Sequence, residues 1–203
     1  MIFLPPFTPR QVLDPDQPIT IGAMVGPEAF MEVRYLQHQN LNRALEVIPE
    51  LSFRFERQFG RECGGLVRPY LTEDAETIVV ALGSVNGRMK DALDEMRAAG
   101  IPIGSLSICC YRPFPFAAVQ ASLAGACQVF VLEKNIAPGM GGVVTSDIQS
   151  ALAGTNIKIS TVIAGLGGRP ITKASLRRLF NRSDRGTLET LDYLDLNPEF
   201  VTA

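Results

Sequence analysis

From residue 77 onward the chain alternates between short apolar runs and helix-length amphipathic stretches, and this alternation limits the possible folds more than any other feature. The apolar runs predict four strands, and the continuous apolar character of the first is typical of a strand covered on both faces. These runs are TIVVALGS (77–84), IPIGSLSICC (101–110), CQVFVLE (127–133) and IKISTVIAGLG (157–167). We therefore expect an α/β domain over 75–203, with a doubly wound, mostly parallel sheet of about four to five strands and right-handed crossovers.

Helical patterns follow each of these strands. They cover 87–99, PFAAVQASLAGA (115–126), GGVVTSDIQSALAG (141–154) and the region around TKASLRRLF (172–180), and a polar tail follows the last. In sheets of this type, ligands and partners bind at the carboxyl ends of the strands. The loops after residues 82, 110, 132 and 165 are therefore the places to look for function.

The first 74 residues have a different character. Pro5, Pro6, Pro9, Pro15 and Pro18 fall within 1–25, and this density of proline predicts an extended arm or an interdomain linker. The segment 26–74 reads as helical, with Pro27 suited to a first helical turn.

Two apolar faces organise this helical segment. Leu41, Ala44, Leu45 and Ile48 share one face, and Leu51, Phe55 and Phe59 recur at intervals of four before Gly60. We expect Pro49 to interrupt the helix between the two sets, which gives a helical hairpin or a kinked pair.

Charge and hydropathy exclude several classes of function. The chain has 19 basic and 21 acidic residues and a formal charge of −2, so no basic surface favours nucleic acid or anionic membrane. No apolar run approaches the ~20 residues that span a bilayer. The start lacks a basic leader and is interrupted by prolines, so we expect a cytoplasmic location.

Residues suited to metal binding or catalysis are sparse. Cys63, Cys109, Cys110 and Cys127 show no Cys-x-x-Cys spacing, and His38 is the single histidine. This argues against an iron–sulfur cluster or a structural zinc site in the chain, and we expect buried, reduced thiols. His38 lies on a helical pattern and not at a strand end, and no set of nucleophile, base and orienting group is recognisable. We assign no catalytic residue.

The loop CYRPFP (110–115) presents one candidate. Arg112 lies between Tyr111 and Phe114 at a strand end, and two prolines stiffen the backbone. The guanidinium could meet the carboxylate or phosphate of a ligand, or it could brace a subunit contact. The sequence favours the subunit contact.

A second candidate is the stretch VLEKNIAPGMGGVV. Glu133 and Lys134 end the third predicted strand, and Gly139, Gly141 and Gly142 precede a helix. The N–H groups at that helix start could hold an anion, could meet a neighbouring carboxylate, or could simply turn the chain.

The stretch GLGGRPITKASL is a third candidate. Its glycines are Gly165, Gly167 and Gly168, but the next helix is expected near Thr172, which is not how a dinucleotide-binding turn runs. We expect a packing surface with Arg169 as its charged contact. ALGSVNGRMKDAL likewise lacks the dinucleotide fingerprint, and predicts a tight turn in which Ser84 or Asn86 caps the helix.

Four motifs occur in an order that resembles a known family. They are IFLPPF with LDPDQPITIG near the start, FGRECGGLVRPYLTEDAETIVVALGS (59–84), YRPFP (111–115) and IAGLGGRPIT (163–172). The set resembles the alpha subunit of pyruvate:ferredoxin oxidoreductase and related 2-oxoacid oxidoreductases. The resemblance implies the second domain of that subunit, a relative of the transketolase carboxyl-terminal domain, with the arm as its connection to a preceding thiamine-binding domain.

The resemblance also implies a reaction and its cofactors. The complex would decarboxylate a 2-oxoacid, most simply pyruvate, pass electrons to ferredoxin and transfer the acyl group to coenzyme A. Thiamine diphosphate, Mg and [4Fe-4S] clusters would lie on partner domains or subunits, and this chain would be a noncatalytic structural part. Pro170 stands where the family commonly has an acidic residue, so the resemblance does not imply a salt bridge at this turn.

A rival function comes from the residues themselves. The Gly139–Gly142 turn or the Arg112 loop would serve a stand-alone module that binds a small anion, such as a nucleotide or acyl-CoA.

Overall fold

The structure is a computed structural model of the 203-residue chain, and it describes residues 6–9, 11–18, 22 and 24–201. The chain divides into two units, Met1–Asn40 and Leu41–Ala203. The domain boundaries expected at residues 25 and 74 stay predictions.

In the first unit, residues 6–9 and 11–18 form neither helix nor strand, and Pro5 of the predicted arm lies outside the described residues. Helix α1 (Phe30–Asn42) has no buried residue. Pro27 lies in a turn three residues before this helix and not in its first turn.

Helix α2 (Ala44–Phe59) runs through Pro49, so the expected interruption at this proline is wrong. A proline has a φ close to the helical value, and a helix can continue through it when one backbone hydrogen bond is given up. The break lies at Arg43, between α1 and α2. The predicted end of the helix is confirmed, because Gly60 takes the left-handed conformation with φ 66°.

The remainder of the second unit is a six-stranded sheet with helices on both faces. The strands are β1 (Val67–Tyr70), β2 (Thr77–Leu82), β3 (Ile103–Ile108), β4 (Gln128–Glu133), β5 (Lys158–Ile163) and β6 (Leu191–Tyr193). The helices are α3 (Val85–Ala98), α4 (Phe116–Leu123), α5 (Val143–Ala151) and α6 (Lys173–Asp184). The strand order is β1-β3-β2-β4-β5-β6, with every pair parallel except β1 and β3. The predicted α/β fold is confirmed.

Two strands of this sheet were not expected. β1 lies inside the segment 26–74, which the sequence pattern assigned to helix, and β6 lies in the polar tail. β1 is a four-residue antiparallel edge strand that contains Pro69, and β6 has three residues. Edge strands tolerate proline and need little apolar character, because one side of the strand has no hydrogen-bonded neighbour.

The sheet carries a separate core on each face. One core joins α3 and α6 to inward side chains of β2, β4 and β5, among them Phe130 and Val162. The other joins α4 and α5 to the opposite faces of the strands, with Val80 and Val131. Successive side chains of a strand point to opposite faces of the sheet, so one strand contributes residues to both cores.

The last crossover differs in hand from the one before it. The β4–α5–β5 and β5–α6–β6 connections both move one strand in the same direction across the sheet, but α5 and α6 lie on opposite faces. The two connections therefore have opposite hands, and the expectation of uniformly right-handed crossovers is wrong for one of them. α6 packs beside α3 and covers the buried Phe130 and Val162, and this burial accounts for its place.

Within the described part of the chain, no helix combines the length and the apolar character that crossing a membrane requires.

Candidate functional site

A pocket of about 440 Å³ opens at the carboxyl ends of the central strands. In the sheet, β2 lies between β3, which is the next strand along the chain, and β4. Helix α3, which follows β2, and helix α5, which follows β4, lie on opposite faces. The loops therefore diverge and leave a crevice, which is the usual ligand position in a doubly wound sheet.

Three basic side chains line this pocket: Arg88 from the first turn of α3, Lys134 directly after β4, and Arg169 after β5. The other lining residues are Ser84, Val85, Gly165, Gly168, Pro170 and Ile171. No acidic residue is among the described residues that line it. We call this the three-cation pocket.

Local contacts hold two of the three cations in place. Arg88 Nη1 donates to the carbonyl of Ile171 at 3.3 Å, and Arg169 Nη1 donates to the carbonyl of Asp195. Both acceptors are neutral backbone carbonyls, so these contacts do not balance the positive charge of either guanidinium. The glycine at 165 is required, since a Cβ there would lie 3.3 Å from Cε of Lys134 and the backbone has φ 68°.

Neighbouring basic residues have carboxylate partners. Lys173 and Arg177 pair with Glu95, and Arg178 pairs with Asp195 at 2.6 Å. The cations of the three-cation pocket take part in none of the salt bridges between described residues. The pocket therefore concentrates positive charge that this part of the chain leaves unneutralised.

A smaller cleft of about 170 Å³ adjoins the three-cation pocket across Gly165 and Arg169. Its other lining residues are Ile163, Ala164, Leu166, Tyr193, Leu194 and Leu196. The two cavities together offer a cationic region beside a mainly apolar one.

The glycine-rich turn before α5 is already occupied by a carboxylate of the same chain. Glu133 is 3 % exposed, and its carboxylate accepts hydrogen bonds from the N–H of Val144 (2.8 Å) and from both the N–H and the hydroxyl of Thr145 (2.9 and 2.7 Å). A Cβ on Gly142 would overlap this carboxylate. Of the alternatives left open by the sequence, the neighbouring carboxylate is the one found, so the turn at Gly139, Gly141 and Gly142 does not offer these N–H groups to an anion.

Arg112 also has its partner within the chain. Its Nη2 donates to both carboxylate oxygens of Asp147, at 3.1 and 3.0 Å, and the guanidinium lies over the ring of Tyr111 at 4.0 Å. Burial and the Asp147 carboxylate raise the pKa of Tyr111. The expected carboxylate contact is present, but it connects the β3–α4 loop to α5, and its use toward a ligand or a subunit stays a prediction.

The structure separates the predicted site residues into three groups and leaves Gly167 outside them. Lys134, Gly165, Gly168 and Arg169 meet at the three-cation pocket. Glu133, Gly139, Gly141 and Gly142 belong to the capped turn, and Arg112 belongs to the link with α5. Gly167 has φ 63° on the exposed loop between β5 and α6. Sequence reasoning missed Ser84, Arg88 and Tyr193; a basic residue one turn into the helix after a strand end is a signal that could have indicated Arg88.

Two further expectations need correction. Cys63, Cys109 and Cys127 are exposed and only Cys110 is buried, so the expectation of four buried thiols is wrong for three. These residues lie in loops beyond the strand ends, where the apolar pattern no longer implies burial. Ser84 precedes α3 without a capping hydrogen bond, and Asn86 donates to the carbonyl of Gly83 at 3.0 Å, so neither caps an N–H of the helix.

The described residues include no group of three or more histidine, cysteine, aspartate and glutamate side chains placed to hold a metal ion.

Comparison with known proteins gives consistent matches. The family model for the pyruvate:ferredoxin oxidoreductase core domain II matches residues 75–176. The pyruvate synthase subunit PorA of Methanosarcina barkeri is 35% identical over 98% of this chain and 51% of its own length. The PorA subunit of Methanothermobacter thermautotrophicus is 37% identical over 90% of this chain and 47% of its own length. The chain thus spans about half the length of these curated relatives.

The chain also has partial matches among solved structures. A 2-oxoglutarate:ferredoxin oxidoreductase from Magnetococcus marinus, with 2-oxoglutarate, coenzyme A and succinyl-CoA bound, superposes with a TM-score of 0.49 and 20% identity. The match covers 64% of this chain and 21% of that one.

Proposed function

The chain belongs to the pyruvate:ferredoxin oxidoreductase core domain II family, and on this premise we propose that it is the structural second-domain part of a pyruvate:ferredoxin oxidoreductase. The observation that carries the proposal is the 35–37% identity to pyruvate synthase subunits along almost the whole chain. The chain corresponds to about half the length of those subunits, so the activity of the whole enzyme is proposed for the complex and not for this chain alone.

The proposed reaction belongs to the whole complex. Pyruvate loses carbon dioxide, the acetyl group is transferred to the thiol of coenzyme A, and the electrons released reduce ferredoxin. Thiamine diphosphate with Mg, which supplies the carbanion chemistry of decarboxylation, and the [4Fe-4S] clusters are proposed to lie on partner domains or subunits.

Residues of this chain hold two loops in fixed positions. The contact of Arg112 Nη2 with both carboxylate oxygens of Asp147 fixes the β3–α4 loop against α5, and Glu133 fixes the start of α5. Both loops end at the carboxyl edge of the sheet, so a partner domain that docks there meets a preformed backbone. Preorganisation of this kind lowers the entropy lost on association.

The rival function loses its two proposed binding elements. The N–H groups of Val144 and Thr145 in the first turn of α5 are bonded to Glu133, and the Arg112 guanidinium is bonded to Asp147. A stand-alone module that binds an anion through these residues would first have to break contacts inside the chain. We therefore favour the role within an oxidoreductase complex.

We also propose a cytoplasmic location for the complex. Three of the four cysteines are free and exposed, a state that reducing compartments maintain.

Reconstitution tests this function directly. The chain is isolated with the chains that accompany it, and reduction of a viologen dye is followed with pyruvate and coenzyme A present. We expect dye reduction that requires pyruvate and that is lost when this chain is omitted from the assembly. Full activity without the chain would contradict the proposal, whereas activity confined to another 2-oxoacid would retain the family and overturn the assignment of pyruvate.

A further inference from the structure

We propose that the three-cation pocket is a binding site for a small ligand that carries a phosphate group. The proposal concerns residues that the oxidoreductase role does not use: Arg88, Lys134 and Arg169, with Ser84 at the pocket edge. It extends beyond the proposed function, and its test does not depend on oxidoreductase activity.

The charge distribution is the first argument. Three basic side chains, from segments that follow three different strands, converge on one cavity, and none is paired with a carboxylate among the described residues. The sequence as a whole carries a net charge of −2, so this concentration is local and is not a consequence of a basic protein. Like charges brought together repel each other, and a bound dianion would relieve that repulsion.

The donor geometry is the second argument. Arg88 is held through one nitrogen by the carbonyl of Ile171, and Arg169 through one nitrogen by that of Asp195. Each guanidinium has further N–H donors, and anchored guanidinium groups are well suited to bind phosphate oxygens. Lys134 has no hydrogen bond with any described residue and adds a mobile point charge.

The backbone gives the third argument. Ser84 occupies the position before α3, a 14-residue helix, and its hydroxyl makes no capping hydrogen bond. The start of this helix carries the positive end of the helix dipole, which favours a negative charge in the pocket. Gly165 and Gly168 bring the backbone after β5 to the same cavity with φ values of 68° and 82°.

Size and surroundings restrict the ligand. The volume of about 440 Å³ falls within the range of ~300–1,000 Å³ that is typical of small-molecule sites. The neighbouring apolar cleft with Tyr193 and Leu196 can hold the remainder of a ligand whose phosphate lies among the cations. A phosphate monoester with an aromatic portion, such as a nucleoside monophosphate, combines the two kinds of group that these cavities would recognise.

Calorimetric titration of the purified chain, together with any subunits that co-purify, tests the site. The probes are AMP, inorganic phosphate and adenosine. We expect saturable binding of AMP, weaker binding of inorganic phosphate and none of adenosine. We expect Lys134→Met to weaken AMP binding by about tenfold, the usual effect of losing one charged contact.

A matched control separates the site from general charge. Lys158 is exposed and begins β5, so it lies at the opposite edge of the sheet from the pocket. Lys158→Met removes the same charge and should leave AMP affinity unchanged. Arg169→Gln, checked for an unchanged melting temperature, should weaken binding as Lys134→Met does.

Several results would overturn the proposal. They are the absence of saturable AMP and phosphate binding, adenosine binding as tightly as AMP, and equal losses in Lys134→Met and Lys158→Met. Equal affinity for AMP and inorganic phosphate would remove the apolar cleft from the site and restrict the ligand to phosphate itself.

Discussion

At the scale of single residues, the buried carboxylate of Glu133 decides how α5 begins. It accepts hydrogen bonds from two consecutive N–H groups of the helix start, and the hydroxyl of Thr161 donates to that of Thr145 behind it at 2.9 Å. The glycine at 142 leaves the space that the carboxylate fills. The sequence placed a glutamate at the strand end and glycines before the helix, but it could not show that the two meet.

Gly142→Ala tests this arrangement. The added methyl would overlap the Glu133 carboxylate and lie 2.7 Å from Cγ2 of Thr161, so we expect the free energy of unfolding to fall by about 2–3 kcal/mol. Gly87→Ala is the control, because Gly87 lies on the exposed side of α3 with nothing within 4 Å of the new methyl. Alanine should stabilise that helix by up to about 1 kcal/mol. Urea denaturation measures both, and equal effects of the two substitutions would refute the capped-turn account.

The cysteines allow a second test at this scale. We expect a thiol-alkylating reagent to modify Cys63 and Cys127 readily in the native chain and to leave Cys110 unmodified until the chain unfolds. Cys109 should react late. The residue as a whole is exposed, but its thiol is partly buried, and this burial raises the pKa of the thiol and lowers the thiolate fraction near neutral pH. Its labelling should accelerate as the pH rises. Mass spectrometry of labelled peptides checks the order, and rapid modification of Cys110 would contradict the packing of this loop.

At the scale of elements, the strands and helices of the α/β region follow from the sequence, whereas β1, β6 and the side taken by α6 do not. β2 to β5 are mostly buried, and their runs of apolar and small residues can be recognised locally in the sequence. β1 depends on its pairing with β3, and α6 depends on its packing against α3. Contacts between segments far apart in the chain decide these features, and a local pattern contains no information about them.

The link between the β3–α4 loop and α5 gives a prediction for a double-mutant cycle. Arg112→Lys keeps the charge but loses the planar guanidinium, which stacks on Tyr111 and donates to the Tyr111 carbonyl and to Asp147 from two different nitrogens, and Asp147→Asn removes the carboxylate. Because Arg112 is half exposed, we expect a coupling free energy of about 1 kcal/mol from denaturation of the two single variants and the double variant. Strictly additive effects would show that the contact contributes nothing.

The turn between β1 and β2 predicts a dependence of stability on pH. Arg97 of α3 donates to the carboxylate of Asp74 and to the carbonyl of Leu71, and it lowers the pKa of Asp74. The unfolded chain then binds a proton more readily than the folded chain. The contribution to stability is therefore present above the ordinary aspartate pKa and is lost as the pH falls through the lowered value.

Asp74→Asn should remove this part of the acid dependence in unfolding measurements at several pH values. Glu73→Gln, at the neighbouring exposed position, is the control and should leave it in place. The same acid profile in wild type and Asp74→Asn would show that the pair does not influence stability.

At the scale of the whole molecule, the family of the chain could be predicted from its sequence. The four ordered motifs identified the family from the sequence, and the match to relatives confirms it. The candidate site was only partly predictable: Lys134, Gly165, Gly168 and Arg169 lie at strand ends that local reasoning identified. Arg88 lies beside them because β2 and β4 are neighbours in the sheet. Glu133 and Arg112 lie outside this pocket, because each is hydrogen-bonded to α5.

The central claim is that this chain works as one part of a larger oxidoreductase. The most direct measurement is the native mass of the chain isolated under anaerobic conditions from the cells that make it, with mass-spectrometric identification of every chain bound to it. The account predicts a mass well above the 22.1 kDa of this chain alone, with thiamine-binding and cluster-binding chains in constant proportion to it. A lone chain that carries no partner under these conditions would contradict it.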